Sequence, residues 1–422
     1  MSAPRGLAPV RTVLGNGAVL TAKAAHAIPA VTIHATIQAG SVFDPPEHAG
    51  LANLVAQTMD RGTTTRTSDE IAIDLDNRGA SLKVGLNRHI ISVSCTCLTE
   101  DFADMLALVG DVVMNPSFPP DQVALRRGEI ITNIRQDEDN PAAMAGEALL
   151  RLLYPGHPYA QRPAGSVESI ETMPPAALRG FHETLFAPAS LSVVIVGDVA
   201  EAQAIEAATR VFGGWDVAAP HAMPLPPVAP ATTRQRLVLP MMNKSQADIA
   251  YGFATILRSD PAYYAYYLLN TILGQYSMGG RLGDRIRERE GMAYYCFSSL
   301  DANVVPGPLV VRAGVNPTNV DKAVLAIDEE LRRMAADGPT AKELDESKRY
   351  VIGAMPRTLE TNAGIATFLQ TSEFFCLGTD HDLELPALLH SVTLEQVHAA
   401  AAATLVPERA AVVIAGPYDD RG

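Results

Sequence analysis

Apolar and polar residues alternate through residues 30–39 (AVTIHATIQA), which puts Val31, Ile33, Ala35 and Ile37 on one side of a half-buried strand. Residues 50–59 switch to helical spacing: Leu51, Leu54, Val55 and Thr58 share an apolar face, and Gly62 supplies the stop. Thr67-Ser68-Asp69-Glu70 is a capping-box signature for a helix reaching about Arg78 and ended by Gly79. Residues 81–86 and 89–98 read as a hairpin across Asn87-Arg88, with Ile91, Val93, Cys95 and Cys97 facing inward. Helices are predicted over 101–114, 120–138, 141–154 and 174–185, and a strand over 191–196.

Prolines at 220, 224, 226, 227 and 230 then remove backbone donors and resist helix, so this stretch reads as an extended linker. Beyond it the order repeats. Strands are predicted over 246–254, 293–300 and 308–315, and helices over 261–273, 317–335, 340–355 and 359–376. The closing segments 186–197 (FAPASLSVVIVG) and 405–416 (LVPERAAVVIAG) match best, each after an amphipathic helix. A period of roughly 200 residues is far above that of solenoids and indicates duplicated domains. The expected fold is α+β: two tandem homologous domains, each a mostly antiparallel sheet covered by helices. Their expected bounds are 1–217 and 236–422, joined by the Pro-rich linker 218–235.

A net charge of −14 argues against non-specific binding to nucleic acid or anionic membranes. No run of about 18 apolar residues occurs, so no membrane span is expected. Without a leader pattern the chain reads as cytoplasmic, or as periplasmic where a signal peptide has been removed. Cys95, Cys97, Cys296 and Cys376 lack redox or zinc-knuckle spacing and are expected to be buried free thiols. His26, His34, His89 and His182 fall on separate elements, and His381-x-x-Glu384 ends in leucine, so none has metal-ligand spacing. The tyrosines of residues 261–267 (PAYYAYY) are expected at a core edge with their hydroxyls in water.

Several motifs remain. In the first half they are Gly40-Ser41-x-x-Asp44-Pro45-Pro46, Gly50-Leu51-Ala52, Arg61-Gly62-Thr63, Tyr154-Pro-Gly-His-Pro-Tyr159 and Val194-Ile-Val-Gly-Asp198. In the second they are Gly279-Gly280-Arg281-Leu282, Ile286-Arg287-Glu288 and Gly291-Met292-Ala293-Tyr294. In this order and spacing the chain resembles, over nearly its whole length, the zinc peptidase family of pitrilysin, insulin-degrading enzyme and mitochondrial processing peptidase.

Catalytic members of that family carry an inverted H-x-x-E-H motif on the first-half helix, with the histidines as zinc ligands and the glutamate as base. The resemblance puts the first histidine at Asn53, the base at Ala56 and the second histidine at Gln57, with the distal glutamate ligand at Asn133. Carboxamides are poor zinc ligands and alanine accepts no proton, so a degenerate, metal-free site is expected. In the second half, Arg287 and Tyr294 match the arginine–tyrosine pair that the family sets opposite the zinc site. A guanidinium fork and a phenol suit a substrate backbone carbonyl or a developing oxyanion. Read locally, residues 285–290 (RIRERE) also fit a solvated, ion-paired helix face, and Tyr294 a strand aromatic. Gly274, Gly279 and Gly280 bracket a short glycine-containing segment that resembles, in shortened form, the substrate loop of a processing-peptidase non-catalytic subunit.

The resemblance implies a non-catalytic, substrate-binding subunit of a heterodimeric zinc peptidase. The chain holds no cofactor, and a homologous H-x-x-E-H partner supplies the zinc. The competing classes are a structural or assembly subunit of the same fold and a metal-independent peptide-binding homodimer.

Overall fold

A computed structural model describes residues 6–221, 223–274 and 280–419. In chain order the first half forms β1 (Val10–Val13), β2 (Val19–Ala24) and β3 (Ala30–Ile37), then α1 (Leu51–Thr58) and α2 (Ser68–Asn77). The hairpin β4 (Ser81–Leu86) and β5 (Ile91–Leu98) follows, then α3 (Phe102–Met114), α4 (Pro120–Glu138) and α5 (Pro141–Leu153). The half closes with α6 (Val167–Thr172), α7 (Pro175–Leu185), β6 (Leu191–Gly197) and α8 (Glu201–Phe212).

The second half opens with β7 (Gln235–Pro240), β8 (Ala247–Ala254) and α9 (Tyr263–Gly274). A π-helical turn, Gly283–Arg289, leads into β9 (Ala293–Leu300) and β10 (Pro308–Val315). Next come α10 (Val320–Asp337), α11 (Ala341–Thr358), α12 (Asn362–Phe374), α13 (His381–Ser391), α14 (Leu394–Thr404) and β11 (Ala411–Gly416).

The duplication is visible in the strand order. The first sheet runs β1-β2-β6-β3-β5-β4 and the second β7-β11-β8-β10-β9, the same order without β1. In both, one parallel pair, β2/β6 or β7/β11, joins an otherwise antiparallel ladder. The expected α+β class with mostly antiparallel sheets holds.

The compact units are not the contiguous halves 1–217 and 236–422. One comprises the residues up to Ile134 together with Arg162–Pro224 and Met355–Glu384; the other comprises Arg135–Gln161, Leu225–Ala354 and the residues from Leu385 onward. The main chain passes between them at Pro224–Leu225, within the Pro-rich stretch, but α5 belongs to the second unit and α12 to the first. The physical reason is that each sheet is apolar on both faces. In β6, Val193 and Ile195 join the main core of the first unit, while Val194 and Val196 point the other way and pack with Ile365, Ala366 and Leu369 of α12. Gln370 donates to Thr36 Oγ1, and Asn362 Nδ2 to the Ala30 carbonyl at 3.0 Å, so α12 also pairs polar groups of that face.

In the second unit Ile249, Tyr251 and Phe253 of β8 face the core, and α5 covers the opposite face. Two glycines permit that approach. A Cβ on Gly252 would lie 2.9 Å from Leu149 Cδ2, and one on Gly146 would lie 2.7 Å from the Arg312 guanidinium.

Leu369, 4% exposed against β6, carries much of the α12 interface. Leu369→Ala is expected to cost about 2–5 kcal/mol. Urea unfolding with hydrogen exchange read at β3 and β6 checks this, and an unchanged midpoint would show that α12 is not integral to the first unit.

Candidate functional site

The helix α1 begins without a capping side chain of its own. Gly50 is its N-cap at φ 90°, and a Cβ there would meet the Ala164 carbonyl at 2.8 Å. The cap comes from the preceding loop. Asp44, nearly buried, accepts from Gly50 N at 2.9 Å and Ala52 N at 2.8 Å. Burial pushes its carboxyl up to about 7, against the pull of the backbone N–H groups of Ala52, Gly50 and Leu51. The Gly-Ser-x-x-Asp-Pro-Pro motif is thus a device for starting this helix.

Arg61-Gly62-Thr63 serves its far end. Thr63 Oγ1 donates to Asp111 of α3 at 2.6 Å, joined by Thr65 Oγ1 and Arg66 Nη1, each at 2.7 Å. Burial works against the charge on Asp111, but the hydrogen bonds from Thr63, Thr65, Asn115 and Arg66 outweigh it and hold the carboxyl below its usual range.

On this helix Asn53 is half-buried, Ala56 is buried and Gln57 is exposed; Asn133 is exposed on α4. The donor set does not fit zinc: two carboxamides and a methyl group on one helix, and a third carboxamide on another, offer neither imidazole nor carboxylate. Among the described residues no group of three or more His, Cys, Asp or Glu is placed to hold a metal ion. His182 Nε2 lies 2.9 Å from the Val113 carbonyl, and His26 pairs with Asp198 at 2.6 Å. The helix is capped and packed, and the side chains it presents at 53, 56 and 57 are two carboxamides and a methyl group.

The second-half pair sits on adjoining elements, the π-helical turn and β9, which pack together. Ile286 and Leu282, both fully buried, anchor the turn. Arg287 projects from it with its side chain 32% exposed and lies 3.7 Å from Glu288. Its neighbours in the basic run are paired as well, Arg285 with Glu290 at 3.1 Å and Arg289 with Asp284 at 2.6 Å. The local reading of residues 285–290 as an ion-paired face therefore holds along this run.

Tyr294 is 63% exposed on the edge strand β9. Gly314 pairs with Tyr295 and Val315 with Ala293, which leaves Tyr294 as the extra residue of a β-bulge. Bulges re-aim side chains at sheet edges and beside functional sites. The next residue turns inward: the Tyr295 hydroxyl donates to buried Asp248, which also accepts from Gln246 Nε2 at 3.0 Å. Nothing in the sequence marked this bulge, because it depends on a cross-strand register. A cavity of about 410 Å³ lies on the same unit, lined by Thr271, Arg281, Asp284, Glu343, Ser347 and Tyr350 among others.

Gly274 and Gly280 have a packing role. Gly280 has φ +88°, and a Cβ on it would lie 2.7 Å from Gly274 Cα, so the two ends of the segment meet backbone to backbone. Gly279 lies outside the described residues. Two expectations need correction. Cys376 is exposed just beyond α12, unlike the other three cysteines, because the helix has ended before it. Tyr266 is buried and its hydroxyl accepts from Thr404 Oγ1 at 2.9 Å, since α14 packs against α9.

Comparison with known proteins agrees with this architecture. Residues 19–165 match the model for Insulinase (Peptidase family M16), and residues 172–351 match that for the Peptidase M16 inactive domain. The chain belongs to peptidase family M16. It is 27% identical over 99% of its length, and 93% of the relative's, to an uncharacterized zinc protease of Mycobacterium leprae. It is 23% identical to a protein of Helicobacter pylori named as a non-peptidase homolog, across 88% of this chain and 84% of that one. The crystal structure of a peptidase M16 inactive domain from Pseudomonas fluorescens superposes with a TM-score of 0.90 at 26% identity, covering 97% of this chain and 98% of that one.

Asp44→Ala removes the acceptor for the α1 N-terminus and is expected to cost about 1 kcal/mol in urea unfolding. The pH dependence has a definite sign. With its folded pKa raised to about 7, Asp44 binds more protons folded than unfolded, so its contribution is complete in acid and is lost as pH rises through 7. Asp44→Asn keeps an acceptor without the titration. Wild type should therefore lose stability relative to Asp44→Asn between about pH 4 and pH 7. Parallel curves across that range would contradict the raised pKa.

Proposed function

We propose that this chain is a non-catalytic, substrate-binding subunit of a heterodimeric zinc metallopeptidase that acts on short or unfolded peptides. The observation that carries the reading is an asymmetry between the halves. The first half keeps the capped, buried helix of a peptidase but has Asn53, Ala56 and Gln57 where its donors would be. The second half keeps Arg287 and Tyr294, one on an anchored turn and one on a bulge that leaves it exposed.

In this reading a homologous partner carrying H-x-x-E-H contributes the metal and the base. Arg287 donates to a substrate backbone carbonyl, and the Tyr294 hydroxyl adds a further donor. Both hydrogen bonds strengthen as negative charge grows on that oxygen, so they favour the transition state over bound substrate. Backbone recognition suits extended peptides of varied sequence.

A second reading, a metal-independent peptide-binding or assembly protein, draws support from the relative named as a non-peptidase homolog. It makes Arg287 and Tyr294 dispensable.

The two readings separate when the chain is co-expressed with an H-x-x-E-H homologue from the same genome and cleavage of an internally quenched unstructured peptide is followed. Arg287→Ala is expected to lower kcat by about 10²-fold, on the scale of losing one oxyanion donor, with a smaller loss for Tyr294→Phe. Unchanged rates in both variants would refute the assigned role.

A further inference from the structure

Glu330 is a fully buried carboxylate of the second unit. It lies on α10 with no exposed surface, among Ile327, Leu331 and Met334 of the core. A carboxylate there loses its hydration, and the cost is offset only by paired cations. Arginines approach it from two directions. Arg333 pairs with it from one turn along α10, and Arg281 Nη1 and Arg285 Nη1 stand 3.8 and 3.7 Å away. These last two flank the start and middle of the segment that presents Arg287.

Each of the two is held again on its outer side. Arg281 makes a two-pronged contact with Glu343 of α11, at 2.6 and 2.8 Å, and donates to the Gly338 carbonyl at 3.0 Å. Burial opposes the charge on Glu343, but Arg281 and Thr340 pull its carboxyl down to about 2. Arg285 pairs also with Glu290 and Glu329. The apolar anchors Leu282 and Ile286 seat the turn on the core. Arg281 and Arg285, each one residue ahead of an anchor, add ionic contacts to α10 on the adjoining face.

We propose that Glu330 is a positioning residue for the Arg287–Tyr294 pair: through Arg281 and Arg285 it fixes the π-helical turn to α10 so that Arg287 is presented in one orientation. This rests on the functional reading above and names the residue that makes it work. Glu330 touches no substrate, and its oxygen Oε1, which lacks a hydrogen-bond partner, is spent on electrostatics with Arg281. A turn needing only stability would be served as well by apolar side chains at 330 and 285 together, since buried ion pairs replaced as a pair are commonly tolerated.

That difference is the test, made on the full chain co-expressed with the H-x-x-E-H homologue. Glu330→Gln is expected to lower both the melting temperature and the cleavage rate, the latter by up to about 10²-fold for a misplaced Arg287. The double variant Glu330→Met/Arg285→Met removes the charge and one of its partners together. It should recover the melting temperature and leave the rate depressed, with faster amide exchange confined to residues 283–292. Recovery of both stability and rate would overturn the proposal and leave Glu330 a stability residue. So would a fully active Glu330→Gln in a background where Arg287→Ala is defective, which spares the functional reading. If Arg287→Ala is itself silent, the functional reading fails and this inference falls with it.

Discussion

A sheet that is apolar on both faces needs cover on both, and that requirement organises this chain. Local helices cover one face of each sheet, and α12 and α5, exchanged between the halves of the sequence, cover the other. The buried alternation in β6, with Val193 and Ile195 one way and Val194 and Val196 the other, makes the exchange obligatory rather than decorative. Duplication of one strand order has therefore produced two units that each borrow a helix.

On that frame the two halves have diverged in chemistry and not in architecture. The first builds a buried helix from three devices: the distal cap from Asp44, the close approach at Gly50 and the Thr63–Asp111 lock. These features cost buried polar groups, yet the helix they position offers amides and a methyl group to any metal. The second half invests its buried charge elsewhere, at Glu330 and the arginines around it, beside the turn bearing Arg287.

Much of this was legible in the residues. Alternation in 30–39, the Thr67–Glu70 capping box and the helical spacing of 50–59 each produced the expected element. The strands β1, β2 and β7 are not legible in the sequence, because edge-proximal segments such as TVLGNGAVLTA and RQRLVLP have weak alternation and are defined by their pairing in the sheets. The helix exchange was hidden for the same reason: local periodicity reports that a helix has an apolar face, not which sheet receives it. At the site, residue identities alone show carboxamides at 53 and 57 and a methyl group at 56. The bulge that exposes Tyr294 and the burial of Glu330 are consequences of register and packing, which no local pattern encodes.

The central claim is that this chain supports peptide hydrolysis only through a partner. It is tested most directly by measuring cleavage of an unstructured peptide by this chain alone, by an H-x-x-E-H homologue from the same genome alone, and by the two together. The account predicts no zinc-dependent cleavage by this chain, little by the homologue, and a large gain on mixing that chelation abolishes. Zinc-dependent cleavage by this chain alone, or no gain on mixing, would contradict it.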